Sequence, residues 1–370
     1  MKRILALILA LAMLLCGCGT SAQPETTAAP AVEETTEPTT EPTTEPTTEP
    51  APVYRNPLNG EIIDEPFTDR IFANTVSNLE SNLPHVGVTQ ADVIIETYVN
   101  MKNVVRCLAL FTNFEEVEAI GSTRSTRPIF NDICQHYDLI LTHAGGSDQA
   151  LADAKHRGIV HYNTDSWAVQ KEGTAYRDTQ YKRAYENTLF GIGAGIKAYA
   201  EAQGVPMTLE RDYGLTFTED ATPASGEDAE KVSILMVYDK AKKETVMTYD
   251  AGLGKYVWNQ YGKVMQDQIT GETEAFTNVV IMQTEISLSG IYHMANFDAG
   301  GTGYFANGGK LIPIIWTCAG EKEPFRFFTV DGQPLDLGVG NSYIAIVTYE
   351  SPITWEGAQP VETTAETTAG

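Results

Sequence analysis

Positive charge is scarce in this chain. Lys and Arg number 25 against 49 Asp and Glu over 370 residues, a formal net charge of −24. So acidic a chain is repelled by nucleic acid, anionic lipid and anionic wall polymers except at local basic sites. Global nucleic-acid binding is therefore excluded, and any anionic ligand requires a local cationic pocket. Histidine is scarcer, with 6 residues. His85, His156 and His161 show no zinc spacing with neighbouring carboxylates, so neither a metal nor a cofactor is expected. The 5 cysteines have neither metal-ligand spacing nor the even count of a disulfide framework. No apolar run reaches the roughly 20 residues needed to span a bilayer.

What the N-terminus does contain is an address. Lys2 and Arg3 precede an apolar run from Ile4 to Leu15, the layout of a secretory signal. The run ends in Leu15-Cys16-Gly17-Cys18, which resembles a lipobox. Cleavage is expected after Gly17, with Cys18 carrying the lipid. Cys16 is the poorer acceptor, because the bulky Leu15 precedes it. The expected location is the extracytoplasmic face of the cell membrane, with the membrane as partner through the lipid anchor.

Residues 18–52 form a stalk centred on repeated Thr-Thr-Glu-Pro, as in Thr39-Thr40-Glu41-Pro42. Such composition buries no core and favours extended, disordered chain. Thirty residues at ~3.1 Å each reach ~90 Å. A similar Thr/Ala/Glu tail is expected to be disordered over 351–370. The remaining length suggests two domains, 53–217 and 231–350, joined by a linker at 218–230.

The first domain alternates strand and helix signals and is expected to be α/β. Strands are expected at Asp92 to Val99, Val104 to Phe111 and Leu139 to Thr142. Helices are expected over Pro128 to Tyr137, Ser147 to Lys155 with Ser147 as cap, and Ile192 to Ala202. The second domain is smaller and β-rich. Its strand signals begin at Val232, Thr245, Asn278, Thr302, Lys310 and Tyr343, with hairpin turns at Asn307-Gly308-Gly309 and Asp331-Gly332. Cys107 and Cys318 lie in apolar runs and read as small buried hydrophobes. One bridge among Cys107, Cys134 and Cys318 stays open.

Chemistry concentrates in Gly121-Ser122-Thr123-Arg124-Ser125-Thr126-Arg127-Pro128 and His143-Ala144-Gly145-Gly146-Ser147-Asp148. Tandem glycines admit a ligand to the backbone, and free N–H groups at a helix start bind anions. Arg124 and Arg127 share a face at a helix start, and Arg106 and Arg177 are candidates to join them. The ligand-binding candidates are thus Arg106, Arg124, Arg127, His143, Gly145, Gly146, Ser147 and Arg177. An equal alternative has the arginines pairing with Glu96, Asp132 or Asp138 to fix loops. Glu96, set in an apolar strand, must pair or shift its pKa. Arg106 or Arg124 is its expected partner, ahead of acid–base work. His143 and Ser147 lie close enough for base and nucleophile, but no nucleophile-elbow pattern surrounds Ser147. Gly300 to Phe305 with Trp316 is a further candidate, for a sugar-binding surface.

These segments resemble the YerB-like family of bacterial lipoproteins over about Asn56 to Tyr349. The resemblance rests on Pro57-Leu58-Asn59-Gly60, Ala91-Asp92, the Gly121/Arg124/Arg127/Pro128 pattern and His143 to Ser147. It continues through Tyr176-Arg177-Asp178, Asn187, Asn278-Val279-Val280, Gly301-x-Gly303, Gly309-Lys310 and Trp316. Tyr185-Glu186-Asn187 departs from a usual proline–histidine–asparagine, which removes a histidine role there. The resemblance implies a layered α/β sandwich with a β-rich partner and no settled activity. The leading expectation is a non-catalytic envelope module binding an anionic cell-wall component or an envelope protein. The alternatives are a cell-wall-modifying hydrolase or transferase, using His143 with Glu96 or Asp148, and a protein–protein scaffold for envelope enzymes.

Overall fold

The structure is a computed structural model that describes residues 52–357 except 101–103, 181, 239 and 240. The expected signal at 1–17, the lipid site at Cys18, almost all of the stalk and the tail beyond 357 lie outside the described residues.

The strand Ser342–Thr348 is buried at every position, and Val93–Asn100 at all but its last. A strand apolar on both sides must be covered on both faces, which places it inside a sheet. These two strands pair in parallel at the middle of a 13-stranded sheet. From one edge its order runs Glu227–Asp228, Lys310–Cys318, Gly301–Asn307, Asn278–Thr284, then Ser342–Thr348. It continues through Val93–Asn100, Val104–Phe111, Phe72–Ser77, Ile140–His143 and His161–Asn163. Strands from both halves of the sequence thus share one sheet.

Strand alternation sends neighbouring side chains to opposite faces. One face carries Val76, Ile94, Tyr98, Cys107 and Tyr343. They pack on Val232, Ile234, Met247 and Trp258 of a second, six-stranded sheet built from Lys231–Tyr238, Ala241–Asp250, Lys255–Gln260 and shorter pieces. The other face carries Ile95, Leu108 and Leu110. These share a core with Ile129, Phe130 and Ile133 of the helix Pro128–Tyr137. That helix opens with Pro128 at its first position, where the missing N–H costs nothing. The helix Asp148–Arg157 is capped by Ser147, whose Oγ accepts the Ala150 N–H at 3.1 Å, and ends on Gly158 at φ 69°.

Four sequence expectations need correction. The fold is mainly β-sheet rather than a layered α/β sandwich: the expected helices form, but one face of the large sheet is covered by a second sheet and not by a helical layer. The supposed linker takes part in pairing: Glu227–Asp228 pairs with Lys310–Cys318 at the edge of the sheet, and Ala229 is buried. The supposed disordered tail begins with the strand Ile353–Glu356 on Lys231–Ile234. Trp316 is buried among Phe297 and Phe325, so it forms core rather than a sugar platform. Cys107, Cys134 and Cys318 are all buried free thiols.

Candidate anion-binding site

Three pieces of chain bring the site together. Arg106 sits on Val104–Phe111, opposite Thr97 on one neighbour and Ser77 on the other. Arg124 and Arg127 lie on the segment leading into the helix Pro128–Tyr137, and Arg127 is its N-cap residue. The loop after His143 runs beside that segment. The Ala144 N–H donates to Arg124 O at 3.0 Å, and the Thr126 N–H donates to Gly145 O at 3.0 Å. Two features separated in sequence are therefore one structural unit. Gly146 is required by this closeness: a Cβ there would lie 2.8 Å from the Leu151 side chain and 3.2 Å from Thr126 Cγ2.

The arginines are held by neutral groups. Arg106 Nη1 donates to Ser125 O at 2.6 Å. Arg124 Nη1 donates to Glu186 O and to Asn187 Oδ1, both at 2.8 Å. Arg127 Nε donates to Asn100 Oδ1 at 3.0 Å, and its Nη1 donates to Thr126 O at 2.7 Å. Its guanidinium carbon also lies 5.4 Å from the Tyr292 ring centre. Among the described residues, none of the three makes an ion pair with a carboxylate. The carboxylates expected to neutralise them are committed elsewhere. Asp132 pairs with Arg157 at 2.6 Å, Asp138 with Arg70 at 2.7 Å, and Glu96 with Lys243 at 2.6 Å.

The expected pairing of Glu96 with Arg106 or Arg124 is thus corrected, and the register gives the reason. Glu96 stands opposite Cys107, while Arg106 stands opposite Thr97. Adjacent residues of a strand face opposite ways, so Glu96 and Arg106 occupy different faces of one sheet.

Burial, followed by the charges of Arg127 and Arg124, pushes Arg106 well below the usual arginine range. Burial also lowers Arg124, opposed by the charge of Glu186. Burial lowers Arg127; Tyr292 opposes that shift and Arg124 adds to it. A guanidinium does not give up its proton in a protein. The three therefore stay charged while crowded and partly or wholly buried.

The remaining candidates play other parts. His143 is fully buried; its Nδ1–H donates to Gly145 O at 2.7 Å, so its Nε2 accepts from His161 Nδ1–H at 2.9 Å. Burial, then the neighbouring His161, pushes its pKa down to about 3. Both ring nitrogens are spent, and neither meets Ser147, whose Oγ serves as the helix cap. Gly145, at φ 69°, donates its N–H to Asn163 Oδ1 at 2.8 Å. Arg177 is neutralised by Asp165 at 2.5 Å and stacks on Tyr185 with its guanidinium carbon 3.9 Å from the ring centre. Its Nη1 donates to Tyr185 O at 2.6 Å, so Arg177 and Arg124 brace the 185–187 turn together. Sequence reasoning missed Asn100 and Tyr292. Tyr292 sits on a hairpin about 165 residues beyond Arg127 in sequence, and no local signal marks it.

Comparisons with known proteins agree with this architecture. Residues 58–206 match the N-terminal domain, and residues 234–344 the C-terminal domain, of the family described as protein of unknown function DUF3048. A curated relative, "Putative lipoprotein YerB" of Bacillus subtilis (strain 168), is 25% identical over 298 residues, covering 79% of this chain and 85% of the relative. The crystal structure of YerB from Bacillus subtilis superposes with a TM-score of 0.68 at 21% identity, covering 81% of this chain and 99% of that one.

Proposed function

Since the chain belongs to the DUF3048 family, whose description assigns no activity, we propose a function from the site itself: a lipid-anchored, extracytoplasmic module that binds an anionic envelope component. The observation that carries this reading is the convergence of Arg106, Arg124 and Arg127 without a carboxylate partner among the described residues. In a chain of net charge −24, such a cluster concentrates positive potential at one place. Arginine forks suit planar, bidentate recognition of carboxylate or phosphate. The N-terminus of the helix Pro128–Tyr137 lies at Arg127, and its side chain does not cap that end. The helix N-terminus therefore adds its own partial positive charge.

The anchor reading rests on Leu15-Cys16-Gly17-Cys18 and on a relative that carries a lipoprotein's name. A binding role is favoured over wall hydrolysis by the state of His143, buried and bonded through both ring nitrogens. The test is incubation of the full-length protein with purified cell-wall sacculi, reading retention and released fragments together. The expected result is retention without fragments, lost in Arg124→Ala at unchanged folding. Fragments that disappear in His143→Ala would replace this reading with an enzyme.

A further inference from the structure

The face of the sheet opposite the arginines holds a second polar cluster, sealed between the two sheets. Asn78, Glu96 and Thr245 are wholly buried, and Lys243 is 5% exposed. Lys243 Nζ donates to Glu96 Oε1 at 2.6 Å, and Asn78 Nδ2 donates to that same oxygen. One carboxylate oxygen thus holds both an amine and a primary amide. The other, Oε2, accepts from Thr245 Oγ1 at 2.9 Å and from the Tyr343 hydroxyl at 2.5 Å. The amide oxygen, Asn78 Oδ1, faces two ring or amide nitrogens: Gln260 Nε2 at 2.6 Å and His85 Nε2 at 3.2 Å. His85 is in turn held through Nδ1 by the Glu274 carboxylate at 2.9 Å. Trp258 and Tyr261 wall the cluster, with ring centres 5.7 Å and 6.0 Å from Lys243 Nζ.

A buried ion pair contributes little stability over an apolar pair of the same shape, so stability alone is a weak explanation for this cluster. Its parts are those of an acyl transfer. A buried ammonium beside a carboxylate can pass its proton across, leaving a nucleophilic amine. An amide carbonyl that accepts from Gln260 Nε2–H, and from His85 Nε2–H when that ring carries both protons against the Glu274 carboxylate, is set to become an oxyanion. Exclusion of water suppresses competing hydrolysis.

We propose that Lys243 condenses with Asn78 to form an intramolecular isopeptide cross-link, with Glu96 as the proton carrier. Glu96 takes a proton from the Lys243 ammonium. The freed Nζ pair attacks Asn78 Cγ, and the carbonyl π pair moves to Oδ1, where Gln260 and His85 hold it. Glu96 hands its proton to Nδ2, the Cγ–Nδ2 bond breaks as the carbonyl re-forms, and ammonia departs. The remaining surplus proton on Nζ leaves with it, so one ammonium and one primary amide become one secondary amide and one ammonium ion. No oxidant, reductant or co-reactant is consumed. Gln260 and His85 touch the reacting oxygen, and Glu274 is a positioning residue that orients His85. The link would tie the end of Phe72–Ser77 in the main sheet to Ala241–Asp250 in the second. It would give a covalent staple to a fold whose described cysteines are all free.

The test is tryptic peptide mapping by mass spectrometry of the full-length protein, purified folded from membranes and then denatured. The expected product is one branched peptide joining the Asn78 and Lys243 segments, lighter than their sum by one ammonia, in nearly every molecule. Sequencing the branch separates it from simple ammonia loss at another Asn. Glu96→Gln is expected to leave both peptides separate and at full mass, and Lys243→Arg to do the same. Should Glu96→Gln fail to fold, His85→Ala with a slowed appearance of the branched peptide after refolding serves in its place. Folded wild-type protein yielding stoichiometric free Asn78 and Lys243 peptides would overturn the cross-link. A branched peptide persisting at full yield in folded Glu96→Gln would overturn the mechanism.

Discussion

Glu96 and Arg106 stand on neighbouring strands of one sheet and face opposite ways, and the charged clusters around them have been treated oppositely by the fold. On one face Glu96 is sealed in, and every oxygen it has is met by Lys243, Asn78, Thr245 or Tyr343. On the other, one register step away, Arg106, Arg124 and Arg127 are crowded together and held only by neutral acceptors. A charge whose needs are all met within the chain has structural or intramolecular work. Charges of one sign left together retain an appetite for something outside. Position along the sequence would have grouped Glu96 with Arg106; the alternation of a strand separates them.

The largest expected effect breaks the sealed side. Glu96→Ala leaves the Lys243 charge buried without its partner and removes the proton carrier of the cross-link, and urea unfolding should report a loss of at least ~3–5 kcal/mol. The open side should answer the other way. Arg106→Met removes a crowded cation and keeps the apolar stem, so stability should stay within ~1 kcal/mol of wild type. Retention on anionic wall material should meanwhile weaken by the ~1.5–3 kcal/mol of a lost charge-assisted contact. A variant that loses stability and keeps binding would reverse the assignment of the two faces.

The histidine beneath the arginine loop supplies a prediction with a sign. The folded pKa of His143 lies at about 3, below its ordinary 6.5. The unfolded chain therefore takes up the proton first. The stability contribution is intact above about 6.5 and falls as pH drops toward about 3. Between pH 6.5 and 5 wild type should lose ~2 kcal/mol through this group. A matched series in His143→Gln should show that portion of the slope removed. The smallest effect sharpens the open side: retention on wall material should fall as salt rises toward 1 M, because partly exposed charges are screened there. The unfolding free energy of the sealed cluster should change far less.

Much of this arrangement could be read before folding. The helix Pro128–Tyr137 and the strand Val104–Phe111 follow from local signals, and both arginine-bearing segments and the His143 loop were marked by composition. Their adjacency was not, because it depends on the Thr126–Gly146 bridge between separate loops. The partner of Glu96 was equally hidden. Lys243 lies in a strand whose surroundings, Ala241-Lys242-Lys243-Glu244-Thr245, read as a solvated charged face. Only the stacking of one sheet on the other buries it. The same stacking explains why the three expected helices, all of which form, do not make a layered α/β sandwich: a sheet face can be covered by another sheet as well as by helices. The cover Ile353–Glu356 gives to its own sheet edge came from a segment whose low-complexity neighbours masked a four-residue β signal.

The most direct test of the central claim is a paired thermal melt at low salt, with and without inorganic phosphate, for wild type and Arg106→Met. An anion that binds only the folded state raises its melting temperature by an amount that grows with the logarithm of its concentration above Kd. The account predicts that phosphate raises the wild-type melting temperature, while Arg106→Met melts at or above the unliganded wild type and does not respond. A wild type indifferent to phosphate, together with an Arg106→Met that melts well below it, would show that the arginines hold the fold together and bind nothing.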